Sequence, residues 1–361
     1  MKIAISAAET SGDLIGAALV KSLIELNPNC QIEGLAGEMM SDAGCYRLWN
    51  MDQANVMGFS EVIKKLPSLL KLRSSIVTHY TKSRPDVFIG VDSPDFNFKI
   101  ERKLKQNGIK TVHFISPSVW AWRSNRITKI KASTDLMLCL FPFEMDFYEK
   151  HGQKALFVGH PLAEIIKPRK QYLSGKRVLL MPGSREAEIK SLLPEIITSV
   201  KLMREQDPEL IFSISLANND FKDWVESQIG EQNIGLSIGD AHTRIANSDL
   251  VIVASGTATL EVAMIGVPMI VIYKISSASY QLVKRLLKTD YVSLPNVILG
   301  KEIVPELIQD NANGKNIADT AIQLINSNNS ELTAQLGLIH KQLNQGASTK
   351  AAKAILEFVN E

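Results

Sequence analysis

Two segments of this chain place reactive side chains directly behind apolar runs. The run Asp86-Val-Phe-Ile-Gly-Val91 delivers Asp92-Ser-Pro-Asp95-Phe-Asn97. A carboxylate just past a strand can take a proton from a hydroxyl, the work of a general base. Asp92 is the better placed of the two acids, because Asp95 falls where a helix would be capped. The second segment is Val178-Leu-Leu-Met181-Pro182-Gly183-Ser184-Arg185-Glu186-Ala-Glu188. Here a strand runs into a glycine-containing turn and then a helix. Backbone N–H groups, the helix dipole, the Ser184 hydroxyl and the Arg185 fork would together favour a diphosphate. An ordinary strand-to-helix connection is built from the same residue types.

Four further loops add to this set. Ala254-Ser255-Gly256-Thr257-Ala258-Thr259-Leu260-Glu261 puts small and hydroxyl residues plus one acid inside an apolar stretch. A buried carboxylate needs a partner, and ribose hydroxyls would suit Glu261, with Ser255, Gly256 and Thr257 near phosphate. Backbone donors are the alternative. After the first apolar run comes Glu9-Thr-Ser-Gly-Asp13, where Thr10 or Ser11 can cap the next helix, Gly12 would let a ligand approach its N-terminus and Glu9 would face that ligand. The loop Ser116-Pro-Ser-Val-Trp120-Ala-Trp122-Arg123 offers two aromatic faces and a guanidinium to sugar or phosphate. His160, in Gly159-His-Pro161, is either a ligand contact or a hydrogen-bonded residue at a hinge. Nothing here matches the dinucleotide G-x-G-x-x-G fingerprint, so an NAD-dependent reading is set aside.

The elements that must position these loops are short apolar runs separated by helical stretches: Lys2–Ala7, Gln31–Ala36, Asp86–Val91, Thr111–Ile115, Leu136–Leu140 and Leu156–Val158. The series thins at the polar stretch Ile166–Gly175 and restarts at Arg177–Met181, Leu210–Leu216, Gly235–Ile238, Leu250–Ala254 and Met269–Tyr273, with helical patterns from Ile317 onward. Such alternation means α/β architecture with parallel sheets. Ligands bind beyond the carboxyl ends of such strands, where all the loops above fall. The length of 361 residues fits two Rossmann-like domains. They are read as 1–165 and 166–345, with a closing helix at 346–361 able to return to the first domain, and the two sheets are expected to face each other across a cleft.

Composition bounds the classes. With 45% hydrophobic and 22% charged residues the chain can bury a core. A net charge of +2 is far from a nucleic-acid binder's, so no nucleic acid is expected, although Lys64–Arg84 holds six basic residues and no acid. Val251–Ile272 is long enough to span a bilayer, but its glycines, hydroxyls and Pro268 read as strand, turn, helix, turn, strand. The N-terminus enters a strand pattern at once, without a signal-peptide pattern, and the widely spaced Cys30, Cys45 and Cys139 read as reduced core residues.

Seven segments in register carry a resemblance: Glu9-Thr-Ser-Gly-Asp13, Val56-Met-Gly58, Gly90-Val-Asp92-Ser-Pro-Asp-Phe-Asn97, Ser116-Pro-Ser-Val-Trp-Ala-Trp122, Pro182-Gly-Ser-Arg185, Ser255-Gly-Thr257 and Lys288-Thr-Asp-Tyr-Val-Ser-Leu-Pro-Asn296. Together, over nearly the whole chain, they resemble the bacterial lipid-A-disaccharide synthase family. Ala8 departs from the glycine many members carry there. The resemblance implies a GT-B fold, with acceptor mainly on the first domain and nucleotide sugar mainly on the second. It implies transfer of 2,3-diacylglucosamine from UDP-2,3-diacylglucosamine to the 6-hydroxyl of 2,3-diacylglucosamine 1-phosphate, with inversion. No carboxylate cluster in the sequence resembles a diphosphate-metal site, so no metal is expected, and no cofactor. Asp92 and Arg185 fall on its catalytic positions, and Asn296 on a nucleotide-binding one. The nearest alternative on the same fold is a UDP-N-acetylglucosamine epimerase or a peptidoglycan precursor transferase, whose first-domain loops should differ.

The implied substrates carry acyl chains, so the chain is expected in the cytoplasm, held peripherally at the inner membrane; a homodimer is compatible with this. Val62, Leu66, Leu69, Leu70, Ile76, Val77 and Tyr80 share one face of a helix expected to start near Pro67, with Lys64, Lys71 and Lys82 opposite. That face either packs on its domain or meets a bilayer.

Overall fold

The computed structural model describes residues 1–54, 59–122, 126–169, 175–276, 280 and 289–361, and the side chains among them other than those of 59–65, 121 and 122. The chain divides into two compact units, Met1–Pro161 with Asn344–Glu361, and Leu162–Leu343.

The first unit is a seven-stranded sheet in the order β3-β2-β1-β4-β5-β6-β7. Its strands are β1 (Lys2–Ala7), β2 (Gln31–Ala36), β3 (Tyr46–Asn50), β4 (Val87–Val91), β5 (Lys110–Phe114), β6 (Leu136–Cys139) and β7 (Ala155–Phe157). Every pairing is parallel. Successive side chains of a strand point to opposite faces, and the burial follows. Ile3, Ile5, Ile89 and Val91 pack with the helices Thr10–Leu26 and Ala347–Asn360, the latter through Ala351 and Ile355. Ala4 and Phe88 pack on the other face with Ile76 and Tyr80 of helix Phe59–Ser83 and Ile100 of helix Pro94–Gln106. Burying each such large side chain is worth about 1.5–3 kcal/mol.

The second unit is a six-stranded parallel sheet, β10-β9-β8-β11-β12-β13. It comprises β8 (Arg177–Met181), β9 (Ile211–Leu216), β10 (Gly235–Ile238), β11 (Leu250–Ala254), β12 (Met269–Tyr273) and β13 (Glu306–Ile308). The apolar stretch 251–272 is β11, helix Thr257–Ile265 and β12, as its punctuation predicts.

Two strands escape the sequence reading, so the run before Asp92 is the fourth strand rather than the third. Both newcomers, β3 and β13, are sheet edges. Edge strands need no continuous apolar run, and Tyr46-Arg-Leu-Trp-Asn50 has no fully buried residue. In each sheet the strand order reverses beside the first strand, between β1 and β4 and between β8 and β11. Crevices at such switch points are where open α/β sheets bind ligands.

Candidate active site

Asp92 follows β4 at the first switch point, half-buried. Its turn is strained: Asp92 has φ 52° and Ser93 φ 44°, left-handed values that cost a non-glycine residue about 1–3 kcal/mol each. Strain of this kind needs surroundings that impose it. The Asp92 amide donates to the Phe114 carbonyl at 2.9 Å. Asn97, wholly buried, donates its amide to the Asp92 carbonyl at 2.8 Å. The Ser93 hydroxyl donates to Glu9 Oε1 at 2.9 Å, which joins the β1 and β4 loops. Asp95 forms no helix cap; its carboxylate is 85% exposed and 3.4 Å from Arg126 Nη2.

The Glu9 loop differs from its sequence reading. Helix Thr10–Leu26 has Glu9 itself as N-cap residue, without a side-chain cap, and Ser11 lies exposed in the first turn. Gly12 is buried: a Cβ there would sit 3.3 Å from the Val91 carbonyl oxygen. Its smallness serves helix-on-strand packing. Asp13 is also inward, accepting from the Gly37, Met39 and Met40 amides at 2.7, 3.0 and 3.3 Å, which caps helix Glu38–Asp42.

Farther along the same sheet end, Trp120 is half-buried and edge-on to Phe143 with ring centroids 4.5 Å apart. The Trp122 side chain and the whole of Arg123 lie outside the described residues. Sequence reasoning missed Glu144, which heads helix Glu144–Lys150 and is 1% exposed. It accepts from the Phe141 amide at 3.0 Å, with Ser116 and Trp120 beside it. Burial pushes its carboxyl up to about 7. His160 is buried with its ring 5.6 Å from that of Phe141, and burial lowers it to about 4, so the imidazole is neutral.

The second switch point holds a pocket of about 490 Å³. Gly183, Ser184 and Arg185 line one side, and Ser255, Gly256 and Thr257 another. Ser215, Ala217 and Gly239, from the ends of β9 and β10, complete it; the sequence reading does not single them out. The turn is held by Glu188: its Oε2 accepts from the Ser184 and Arg185 amides at 3.3 and 3.4 Å, and its Oε1 from Arg185 Nη1 at 2.8 Å. Gly183 permits this, with φ 111° and no Cβ, since a Cβ would lie 2.8 Å from Glu188 Oε2. Arg185 is otherwise open, its side chain 81% exposed. Glu261 is not isolated, because His242 Nε2 lies 2.8 Å from its Oε2.

The Asn296 side chain faces inward. It is wholly buried and every hydrogen-bonding position of its amide is used. Nδ2 donates to the Val304 carbonyl at 2.9 Å and to Glu306 Oε1 at 2.8 Å, while Oδ1 accepts from the Ile303 and Val304 amides at 2.8 and 3.0 Å. The side-chain amide of Asn296 is thus fully engaged within the protein. Glu306 also accepts from the Val292 and Ser293 amides, each at 2.9 Å, and the Val292 carbonyl accepts from the Ser255 hydroxyl at 3.2 Å. Asn296 therefore supports the Ser255 loop from behind. The motif residues Val56, Met57, Gly58 and Lys288 lie outside the described residues.

Helix Phe59–Ser83 begins eight residues ahead of Pro67, which sits inside it. Leu69, Ile76 and Tyr80 are buried with Leu72, whereas Leu66 and Leu70 are 44% and 51% exposed, so the expected single apolar face is split. Lys71 and Lys82 are exposed, and the side chains of Val62 and Lys64 lie outside the described residues. Among the described residues no helix is long and apolar enough to cross a membrane.

Two sheets with switch-point loops of this kind define a GT-B protein, and solved structures agree. MurG of Acinetobacter baumannii superposes with a TM-score of 0.62 at 15% identity, over 99% of each chain. A UDP-GlcNAc 2-epimerase from Neisseria meningitidis, bound to UDP-GlcNAc, gives 0.66 at 13% over all of both chains. Such low identity speaks for fold alone. The family is decided by sequence: the family model for lipid-A-disaccharide synthetase matches residues 3–358. The lipid-A-disaccharide synthases of Idiomarina loihiensis and Hahella chejuensis are 41% and 40% identical, covering 99% and 100% of this chain and 98% and 95% of theirs. The chain belongs to the lipid-A-disaccharide synthase family.

Proposed function

We propose that this glycosyltransferase of lipid A biosynthesis moves an acylated glucosamine from its UDP donor to the 6-hydroxyl of an acylated glucosamine 1-phosphate, with inversion. A nucleotide sugar and a lipid acceptor are the substrate classes its family implies. In this reading Asp92 takes the proton from the attacking hydroxyl, while Arg185 and the helix behind it absorb charge on the departing diphosphate. Ser184, Ser255 and Thr257 hold the nucleotide's phosphates, and Glu261 its ribose. Glu9, Trp120 and His160 belong to the acceptor side. The observation that carries the assignment is a half-buried acid in a strained turn at one switch point, matched by an arginine-bearing pocket at the other. Removing a general base costs about 100- to 10,000-fold in rate. Asp92→Ala should therefore stay folded and lose transfer to that extent in an assay with UDP-2,3-diacylglucosamine. Near-normal turnover in that variant, with loss in Asp95→Ala, would reverse the two acids.

Acyl chains call for a surface that accepts them. We infer that Leu66 and Leu70, beside a hollow of about 430 Å³ lined by Trp49, Ser68 and Leu72, meet the inner membrane's cytoplasmic face, with Lys71 and Lys82 near anionic headgroups. Each lysine near such a surface is worth about 1 kcal/mol. Sedimentation with anionic liposomes at low salt should lose most of its signal when both lysines become Glu; unchanged binding would exclude this surface.

A further inference from the structure

The mechanism above uses Asp92 but not the group that fixes its turn. Asn97 lies one helical turn beyond Ser93, 0% exposed, with Nδ2 within 2.8 Å of the Asp92 carbonyl, 3.2 Å of the Val91 carbonyl and 3.3 Å of the Ser6 carbonyl. Its Oδ1 accepts from the Ser6 hydroxyl at 2.8 Å, and the three carbonyls, which can only accept, settle which way the carboxamide faces. One NH2 group thus binds three carbonyls from both strands of the switch point, the last of them belonging to Asp92. The approach is possible because β4 carries Gly90 at that place: a Cβ would lie 2.9 Å from the Asn97 Cβ and collide with Glu101 Oε1. Backbone geometry with two consecutive left-handed residues persists only where neighbours over-determine it, and the Asn97 amide is the neighbour that grips the turn from inside.

We propose that Asn97 is a positioning residue for the transfer, holding the strained turn from which the Asp92 carboxylate projects, with Ser6 orienting its amide. The proposal rests on Asp92 as the base. Asp at this position keeps the shape but replaces both donors with acceptors facing three carbonyls, so Asn97→Asp should lower kcat about 100-fold while leaving KM for the UDP donor within about twofold. The test is a double-mutant cycle with Asp92→Asn, each variant checked for a normal melting transition. In the Asp92→Asn background the Asn97→Asp change should cost less than about threefold. An equal loss in both backgrounds, or a KM that rises in step with the fall in kcat, would overturn the proposal and leave Asn97 a fold-stabilising residue. Ser6→Ala runs through the same cycle as the milder variant, with an expected loss of about fivefold, and decides the matter if Asn97→Asp does not fold. If Asp92→Asn alone keeps full turnover, the base assignment fails first, an outcome distinct from additive losses.

Discussion

The turns at the two switch points are held by opposite means. Behind β4, the buried amide of Asn97 donates to carbonyls, and the group presented is a carboxylate, Asp92. Behind β8, the carboxylate of Glu188 accepts from amides, and the group presented is a guanidinium cation, Arg185. The first staple is sealed from water at 0% exposure, whereas the second joins a pocket open to solvent at distances of 3.3 and 3.4 Å. A buried amide on carbonyls makes a fixed turn; a carboxylate on long, exposed N–H bonds occupies donors that a ligand's phosphate can take over. The first unit accordingly concentrates burial and shifted proton affinities around its loops, and the second concentrates exposed charge.

That contrast can be tested at three strengths. The largest effect should come from Glu144 in the first unit. Its carboxyl is raised by burial to about 7 from an ordinary value near 4.5, so the folded state holds a proton that the unfolded state releases. The stability this provides is complete below about pH 4.5 and is lost as pH rises through 7, up to about 3 kcal/mol at 1.36 kcal/mol per unit. Glu144→Gln should remove that slope. Melting curves of wild type and variant at pH 5 and pH 8 measure it, and parallel pH profiles would contradict the buried-acid account. His160, lowered to about 4, contributes stability above pH 6.5 that fades as pH falls toward 4, equally in both proteins, so the difference isolates Glu144.

Next in size is Arg185→Ala. Loss of a charge-assisted contact to phosphate, about 1.5–3 kcal/mol, should weaken UDP binding about 10- to 100-fold by calorimetry. Unchanged UDP affinity would remove the diphosphate from the second unit's pocket. The smallest effect, and the sharpest for the comparison, is Glu188→Gln. If the carboxylate and a diphosphate compete for the same amides, neutralising it should tighten UDP binding roughly threefold, an effect on the scale of an exposed charge pair. Weakening comparable to Arg185→Ala would mean instead that Glu188 serves to orient the arginine, a fixed staple like Asn97 after all.

The sequence by itself determined the alternation of apolar runs and helices, hence two parallel sheets, and the loops that must lie at the carboxyl ends of their strands. It did so because buried parallel strands are apolar throughout and because glycine, proline and hydroxyl residues mark where they stop. It also carried the family, through motifs spread over nearly the whole chain. What only the tertiary structure decided is which groups in those motifs remain available. Asn296 and Gly12 stand in the motifs beside Arg185 and Glu9, yet the first spends all its hydrogen bonds on residues 303–306 and the second is packed against Val91. Edge strands β3 and β13, the pairing of Glu261 with His242 and the burial of Glu144 were equally hidden. The physical reason is common to all of them. A residue's type fixes what it can donate or accept, but its partner is set by strand order and helix packing, which join segments that lie far apart in the chain.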